Sequence, residues 1–130
     1  MLLKAVRSLL LLPAGPPPGE PARKLALLRA AAERLQVPAV SRNSPNWTVG
    51  LATGRSQLVA ATPLEAAALA RLPRGTTPFL VIDCLAEAER PPEADWQSMS
   101  ATPVTAEMVV FEWLERGATE AFRDLIGLIK

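Results

Sequence analysis

Four consecutive leucines at residues 9–12 constrain the fold of this chain more than any other feature. A strand with one solvated face alternates apolar and polar side chains, whereas a continuously apolar strand is buried on both faces. We therefore predict a strand over residues 6–12, inside a sheet that is covered on both sides. Residues 78–83, Pro-Phe-Leu-Val-Ile-Asp, predict a second buried strand.

Helical patterns separate the apolar stretches. A helix is expected from Glu20, with Pro21 in its first turn, through Gln36, and Pro38 ends it because the residue before a proline avoids the helical region. A capping-box motif, Thr-Pro-Leu-Glu at residues 62–65, predicts another helix that runs to Leu72. Shorter elements are expected as strands at 39–41, 57–61 and 102–104, a loop or brief helix at 48–53, a loop or turn at 85–90 and a short helix over 91–99.

This alternation predicts an α/β fold in three layers. Strands that alternate with helices form a mostly parallel sheet, here of about five strands, with helices on both faces. At 130 residues the chain is expected to be one domain, residues 1–130.

Composition excludes several kinds of chemistry. With one Cys and no His, the chain has no internal disulfide, no Cys-based zinc cluster and no Ser-His or Cys-His pair. We expect no metal and no cofactor. The 14 basic and 13 acidic residues leave a net charge of +1, which favours neither nucleic acid nor an anionic membrane as a partner. The leucine run is too short to cross a bilayer, and we expect a cytoplasmic protein.

The C-terminal residues 105–130 predict two helices. Thr105 is expected to cap the first, and Gly117 to end it, because glycine adopts the left-handed conformation without strain. The second places one apolar stripe at helical spacing: Phe122, Leu125, Ile126 and Ile129. The first is apolar nearly all round, so we predict that a homo-oligomer, a dimer or larger, covers it at Met108, Phe111 and Trp113. For Phe111 and Trp113 the alternative is the core of their own domain.

The same residues carry a family resemblance. The motif Thr-x-Glu-Met-Val-Val-Phe-Glu-Trp-Leu at 105–114, followed by Phe-Arg-Asp-Leu-Ile-x-Leu-Ile-Lys at 122–130, resembles the C-terminal end of the isochorismatase-like cysteine hydrolases. Residues 35–40, 54–59 and 79–83 resemble segments of the same family. The resemblance implies a Rossmann-like, isochorismatase-like fold.

It also implies a catalytic Asp, Lys and Cys, and this chain lacks all three. Pro13 stands where the Asp would follow the first strand, and no Lys occurs between Lys24 and Lys130. The place of the nucleophile falls within residues 63–68, which contain no Cys. A thiolate needs a base or a nearby cation to be activated. We therefore expect a catalytically defective member, acting as an oligomeric structural or small-ligand-binding protein, or as an assembly subunit that pairs with a full-length relative.

An enzyme remains the alternative. Cys84 directly follows Asp83, which is compatible with a hydrolase of the isochorismatase or nicotinamidase type whose site has been rebuilt around these two residues. The structural alternative is a buried thiol beside a carboxylate that caps a turn. In parallel sheets, ligands bind beyond the carboxyl ends of the strands. The residues that we expect to rim such a pocket are Pro13, Asn43, Trp47, Thr62, Asp83 and Cys84, although Thr62 could instead cap a helix and Trp47 cover core.

Overall fold

The computed structural model describes residues 3–52 and 54–114. Within these ranges one sheet contains the strands β1 (Ser8–Leu12), β2 (Ala39–Ser41), β3 (Gln57–Ala60), β4 (Thr77–Val81) and β5 (Thr102–Val104). The α-helices are α1 (Glu20–Arg34), α2 (Val49–Ala52), α3 (Ala66–Ala70) and α4 (Ala106–Leu114). Short 3₁₀ turns occupy Ala5–Arg7, Ile82–Cys84, Glu87–Glu89 and Glu93–Ser98.

Every pair of neighbouring strands in this sheet is parallel, and the strand order is β2-β1-β3-β4-β5. The leucine strand β1 lies inside the sheet between β2 and β3, with Leu10 opposite Val59. This confirms the predicted α/β class with a parallel sheet of five strands.

Two apolar clusters cover the two faces of the sheet. Leu10 and Val59 face the cluster that contains the buried sides of α1 and α4. Leu9 and Leu11 face the opposite cluster, which includes residues of α2 and α3. All three leucines are fully buried, as a strand covered on both sides requires. The three-layer arrangement is therefore confirmed.

Helix α4 buries one face and exposes another. Its predicted cap is confirmed, because Thr105 Oγ1 accepts the Met108 backbone N–H at 3.2 Å. Trp113 is only 2% exposed, and its Nε1–H donates to Ser8 Oγ at 2.9 Å. This corrects the predicted interface position of Trp113: the indole belongs to the core of its own domain. Met108 and Phe111 are 43% and 51% exposed, and their place at an interface stays a prediction.

Several local predictions differ from the structure. The strand predicted over 78–83 ends at Val81, so Asp83 and Cys84 lie in a 3₁₀ turn, and the helix predicted through Gln36 ends at Arg34. Helix α3 begins at Ala66 with Glu65 as its N-cap, so the predicted capping box from Thr62 does not form. The physical reason is that the Ala61 N–H donates to Leu11 O at 2.9 Å, which holds the chain on the sheet ladder past the end of β3. The strand predicted over 6–12 begins only at Ser8, after a 3₁₀ turn. Gly117 and the predicted second C-terminal helix, with Phe122, Leu125, Ile126 and Ile129, lie outside the described residues.

Candidate functional site

The strand order reverses direction at β1. From β1 the chain moves to one side to form β2 and then to the other side to form β3, β4 and β5. In parallel α/β sheets, the crevice at such a switch point, beyond the carboxyl ends of the strands, is where ligands bind. A cavity of about 420 Å³ lies at this edge, and we call it the switch-point cavity. Its lining residues follow β1, β2, β3 and β4: Pro13, Ala14, Gly15, Pro16, Pro17, Pro18, Arg42, Ala61, Thr62, Pro63, Cys84, Ala86 and Glu89.

The loop after β1 forms one wall of the cavity. Four of its six lining residues are prolines, which fix the backbone angle φ and have no N–H to donate. The wall is therefore stiff and offers carbonyl acceptors more readily than hydrogen-bond donors. Pro13, at the position where the resemblance implies a catalytic Asp, belongs to this wall and cannot accept a proton.

Arg42 reaches across the switch point. Its backbone N–H donates to Leu12 O at 2.9 Å, continuing the ladder between β1 and β2. Its guanidinium Nη1 donates to Pro63 O beyond β3, and Nη2 lies 3.6 Å from Glu65 Oε1. Because β1 lies between β2 and β3, the side chain must pass over the carboxyl end of β1. Among the described lining residues, Arg42 is the cation and Glu89 is the carboxylate.

Cys84 is part of the inner wall, but its thiol is not prepared for attack. The residue is 1% exposed, and burial raises the pKa of its thiol well above the ordinary value, with the nearby negative charge of Asp83 as a second cause. The thiolate, not the thiol, is the nucleophile. At neutral pH Cys84 is therefore protonated and inert.

Asp83 belongs to a different depression. It lines a space of about 160 Å³ together with Trp96 and Met108, whereas Cys84 lines the switch-point cavity. Its Oδ1 accepts the Ala106 N–H at the start of α4, at 2.9 Å. Burial raises the pKa of the Asp83 carboxyl and is the largest cause of its shift. The hydrogen bond from the Ala106 N–H is the second largest cause and lowers the pKa. Asp83 thus acts structurally at a helix start, and the two neighbouring residues do not line one cavity.

Lys24, which was not predicted as a site residue, acts electrostatically on both Asp83 and Cys84. Lys24 of α1 is paired through Nζ with Glu107 Oε1 of α4, and that hydrogen bond raises the pKa of Lys24. Its positive charge lowers the pKa of Asp83 and of Cys84, but in neither case is it the largest cause. The ammonium is engaged in joining two helices, which leaves it poorly suited to activate a thiol.

The structure brings three of the six predicted rim residues together. Pro13, Thr62 and Cys84 line the switch-point cavity. Asn43 is exposed, its backbone N–H donates to Ser41 Oγ at 3.2 Å, and it is not among the lining residues. Trp47 is buried in the cluster on the α2 and α3 face, which corrects its predicted rim position.

The cover over Trp47 explains that burial. The Arg71 guanidinium lies 5.3 Å from the centroid of the indole ring, a cation–π geometry, and Arg71 Nη2 also donates to Pro45 O at 3.1 Å.

Arg42 and Glu89 line the cavity but were not among the rim residues predicted from the sequence. For Arg42 a signal existed, because it directly follows the predicted strand 39–41. For Glu89 we find none.

Comparison with family models, with curated proteins and with solved structures finds no match to this chain. The isochorismatase-like resemblance therefore stays a prediction from the sequence motifs. Across residues 3–52 and 54–114, no helix is long and apolar enough to cross a membrane. The same residues contain no group of three or more His, Cys, Asp or Glu side chains arranged to hold a metal ion.

Proposed function

We propose that this chain is a catalytically defective isochorismatase-like domain, a cytoplasmic homo-oligomer that binds a small anionic molecule in the switch-point cavity. The observation that carries the proposal is the position of Arg42, which lines the cavity and whose guanidinium donates to Pro63 O on the far side of β1. The C-terminal motif supports the ancestry, and the exposed apolar side chains of Met108 and Phe111 support an oligomer.

The chemistry of Arg42 favours a carboxylate or phosphate. A guanidinium has five N–H donors in a planar fork that matches two oxygens of such a group. The contacts with Pro63 O and Glu65 do not use all five. Glu65 is a weak competitor, since its side chain is 74% exposed and exposed ion pairs contribute little. A volume of about 420 Å³ is within the usual range for small-molecule sites, roughly 300–1,000 Å³.

The proposed loss of catalysis is supported by residues that line the same cavity. Pro13 provides no base, and the Cys84 thiol is held protonated by burial. The remaining charged lining residues are Arg42 and Glu89. A cation that recognises a ligand remains, while an activated nucleophile does not.

The test is an NMR titration of the ¹⁵N-labelled protein with small carboxylates and phosphates at constant pH and ionic strength. We expect shifts of the backbone amide signals of the lining residues Ala14, Gly15, Arg42, Ala61 and Thr62, and expect Arg42→Gln to abolish them. Arg74→Gln is the matched control, because it removes the same charge in the turn before β4, at the opposite edge of the sheet. Equal binding by wild type and Arg42→Gln would reject the proposed function.

The second candidate is a hydrolase with a relocated site at Asp83 and Cys84. It is favoured by Lys24, whose charge acts on both residues. It is opposed by the burial of the thiol and by the separate cavities that the two side chains line. Hydrolysis of amides or vinyl ethers by the purified protein, abolished by Cys84→Ala, would favour the enzyme over the binding protein.

A further inference from the structure

The switch-point cavity carries opposite charges on two of its walls. Arg42 lines it from the end of β2, and Glu89 lines it from the 3₁₀ turn Glu87–Glu89 that follows β4. Within the described part of the chain, the ion pair of Arg42 is with Glu65, and none joins it to Glu89. The two charged residues therefore line one space, and no ion pair between them neutralises either charge.

Each of these charges is held in position by the backbone. The Arg42 guanidinium donates to Pro63 O, and Glu89 Oε1 accepts the Ala86 N–H at 3.3 Å. Ala86 and Pro63 also line the cavity, so both tethers are at its edge. Side chains that are already oriented lose less conformational entropy when a ligand binds them. A pair of oriented, opposite charges is complementary to a ligand that is itself dipolar.

We propose that the ligand of the switch-point cavity is a zwitterion, with a carboxylate directed at Arg42 and an ammonium group directed at Glu89. This inference rests on the proposed function and deepens it, because Arg42 alone specifies only an anion. Glu89 repels a plain anion and attracts a cationic group on the same molecule. The buried residue Thr62 and the proline wall complete a site for a short, partly apolar body between the two charged ends.

The experiment compares ω-amino carboxylates of increasing length, from glycine to 6-aminohexanoate, with the same carboxylates lacking the amino group. Dissociation constants are measured at pH 7 by NMR titration of the full chain. We expect at least one amino carboxylate to bind about threefold to fivefold more tightly than its partner without the amino group, as suits one exposed ion pair.

Two matched variants make the result specific. Glu89→Gln keeps an oxygen that can accept the Ala86 N–H and removes the charge, so we expect it to equalise the two members of each pair. Glu87→Gln removes the same charge in the same turn, but Glu87 does not line the cavity, so the preference should persist.

The outcomes separate the zwitterion from the anion. If carboxylates bind through Arg42 but the amino group gives no advantage at any length, the zwitterion is rejected and the anion site stands. A preference that Glu87→Gln removes as fully as Glu89→Gln also rejects it, since a general field effect would then explain the result. If no compound binds in a manner that depends on Arg42, both proposals are rejected.

Discussion

The hydrogen bond between Trp113 and Ser8 provides a quantitative test of how α4 is attached to the sheet. Trp113 Nε1–H donates to Ser8 Oγ at 2.9 Å, and both residues are buried. The Ser8 hydroxyl in turn donates to Lys4 O at 2.8 Å. The bond joins residues 105 positions apart, so it exists only in the folded chain.

Trp113→Phe removes this bond and leaves a space beside the smaller ring. A hydrogen bond contributes about 1 kcal/mol net, and the partly filled space costs about 1–2 kcal/mol more, so the free energy of unfolding should fall by about 2–3 kcal/mol. Ser8→Ala leaves the Trp113 N–H buried without its acceptor, at a cost of about 1–3 kcal/mol. Urea denaturation followed by far-UV circular dichroism measures both values.

The double variant isolates the bond. In the Trp113→Phe background, Ser8→Ala no longer leaves a buried indole N–H without an acceptor. The losses in free energy of unfolding of the two single variants should therefore sum to more than the loss in the double variant, by about 1 kcal/mol. Trp96→Phe combined with Ser8→Ala is the control, because the Trp96 Nε1–H donates locally to Pro91 O at 3.1 Å. That pair should be additive.

Additive losses for Trp113→Phe and Ser8→Ala, within about 0.3–0.5 kcal/mol, would contradict the described contact. The same experiment tests the corrected position of Trp113. If the indole were at a subunit interface, the effect of its substitution would change with protein concentration, because association stabilises the folded state by mass action. For a residue in the core of its own domain, the loss is independent of concentration.

Three further predictions concern Asp83, Cys84 and Met108. Burial raises the pKa of Asp83 in the folded state, so its contribution to the free energy of unfolding falls as pH rises from its unfolded-state pKa through its folded-state pKa. The stability of Asp83→Asn relative to wild type should therefore be greater at pH 7 than at pH 4. The reverse order in urea titrations would refute this sign. Iodoacetamide should leave Cys84 unmodified in the native protein at pH 7 and modify it fully in urea, because the thiol is buried and its pKa is raised. Mass spectrometry measures the modified fraction. Modification of the native protein as fast as that of the unfolded protein would mean that the thiol is accessible. Met108→Glu should reduce the sedimentation coefficient of the expected homo-oligomer. Val49→Glu, at a side chain that is 56% exposed on α2, should not reduce it, because α2 covers the opposite face of the sheet. A monomeric wild type would reject the oligomer hypothesis.

Patterns among residues close together in the sequence predicted the positions of several strands and of one helix cap correctly. The strands expected at 39–41 and 102–104 coincide with β2 and β5, and the Thr105 cap forms as its position indicates. These features depend on backbone preferences and contacts within a few residues, which the sequence displays directly. The leucine run was informative for the same reason, because continuous apolarity requires cover on both faces.

The errors arose where a long-range contact overrode a local preference. Thr62 has the sequence context of a helix cap, yet the bond from the Ala61 N–H to Leu11 O keeps the chain on the sheet. Trp113 lies on a helix that is apolar on most sides, and periodicity alone does not say which side meets the sheet. Only the packing of α4 against α1 and β1 decides that question.

The candidate site could be identified only from the order of the strands in the sheet. Arg42 was visible after a predicted strand, but its reach over β1 requires that β1 lie between β2 and β3. Hydrophobic periodicity identifies strands and leaves their order open. The cavity residues come from four strand ends, so their grouping could not be read from spacing along the chain.

This dependence on strand order gives the proposed function a physical basis, because a binding cavity and a catalytic site have different requirements. The switch-point cavity is formed by the register of parallel strands and a stiff proline loop, and no single side chain creates it. Activation of a thiol, in contrast, requires particular side chains, a base or a nearby cation, within contact distance of the sulfur. Pro13 offers no base at the position where the resemblance implies an Asp, and it adds rigidity to the cavity wall. Under the proposed function, the same residue therefore disfavours chemistry and favours a preorganised binding site.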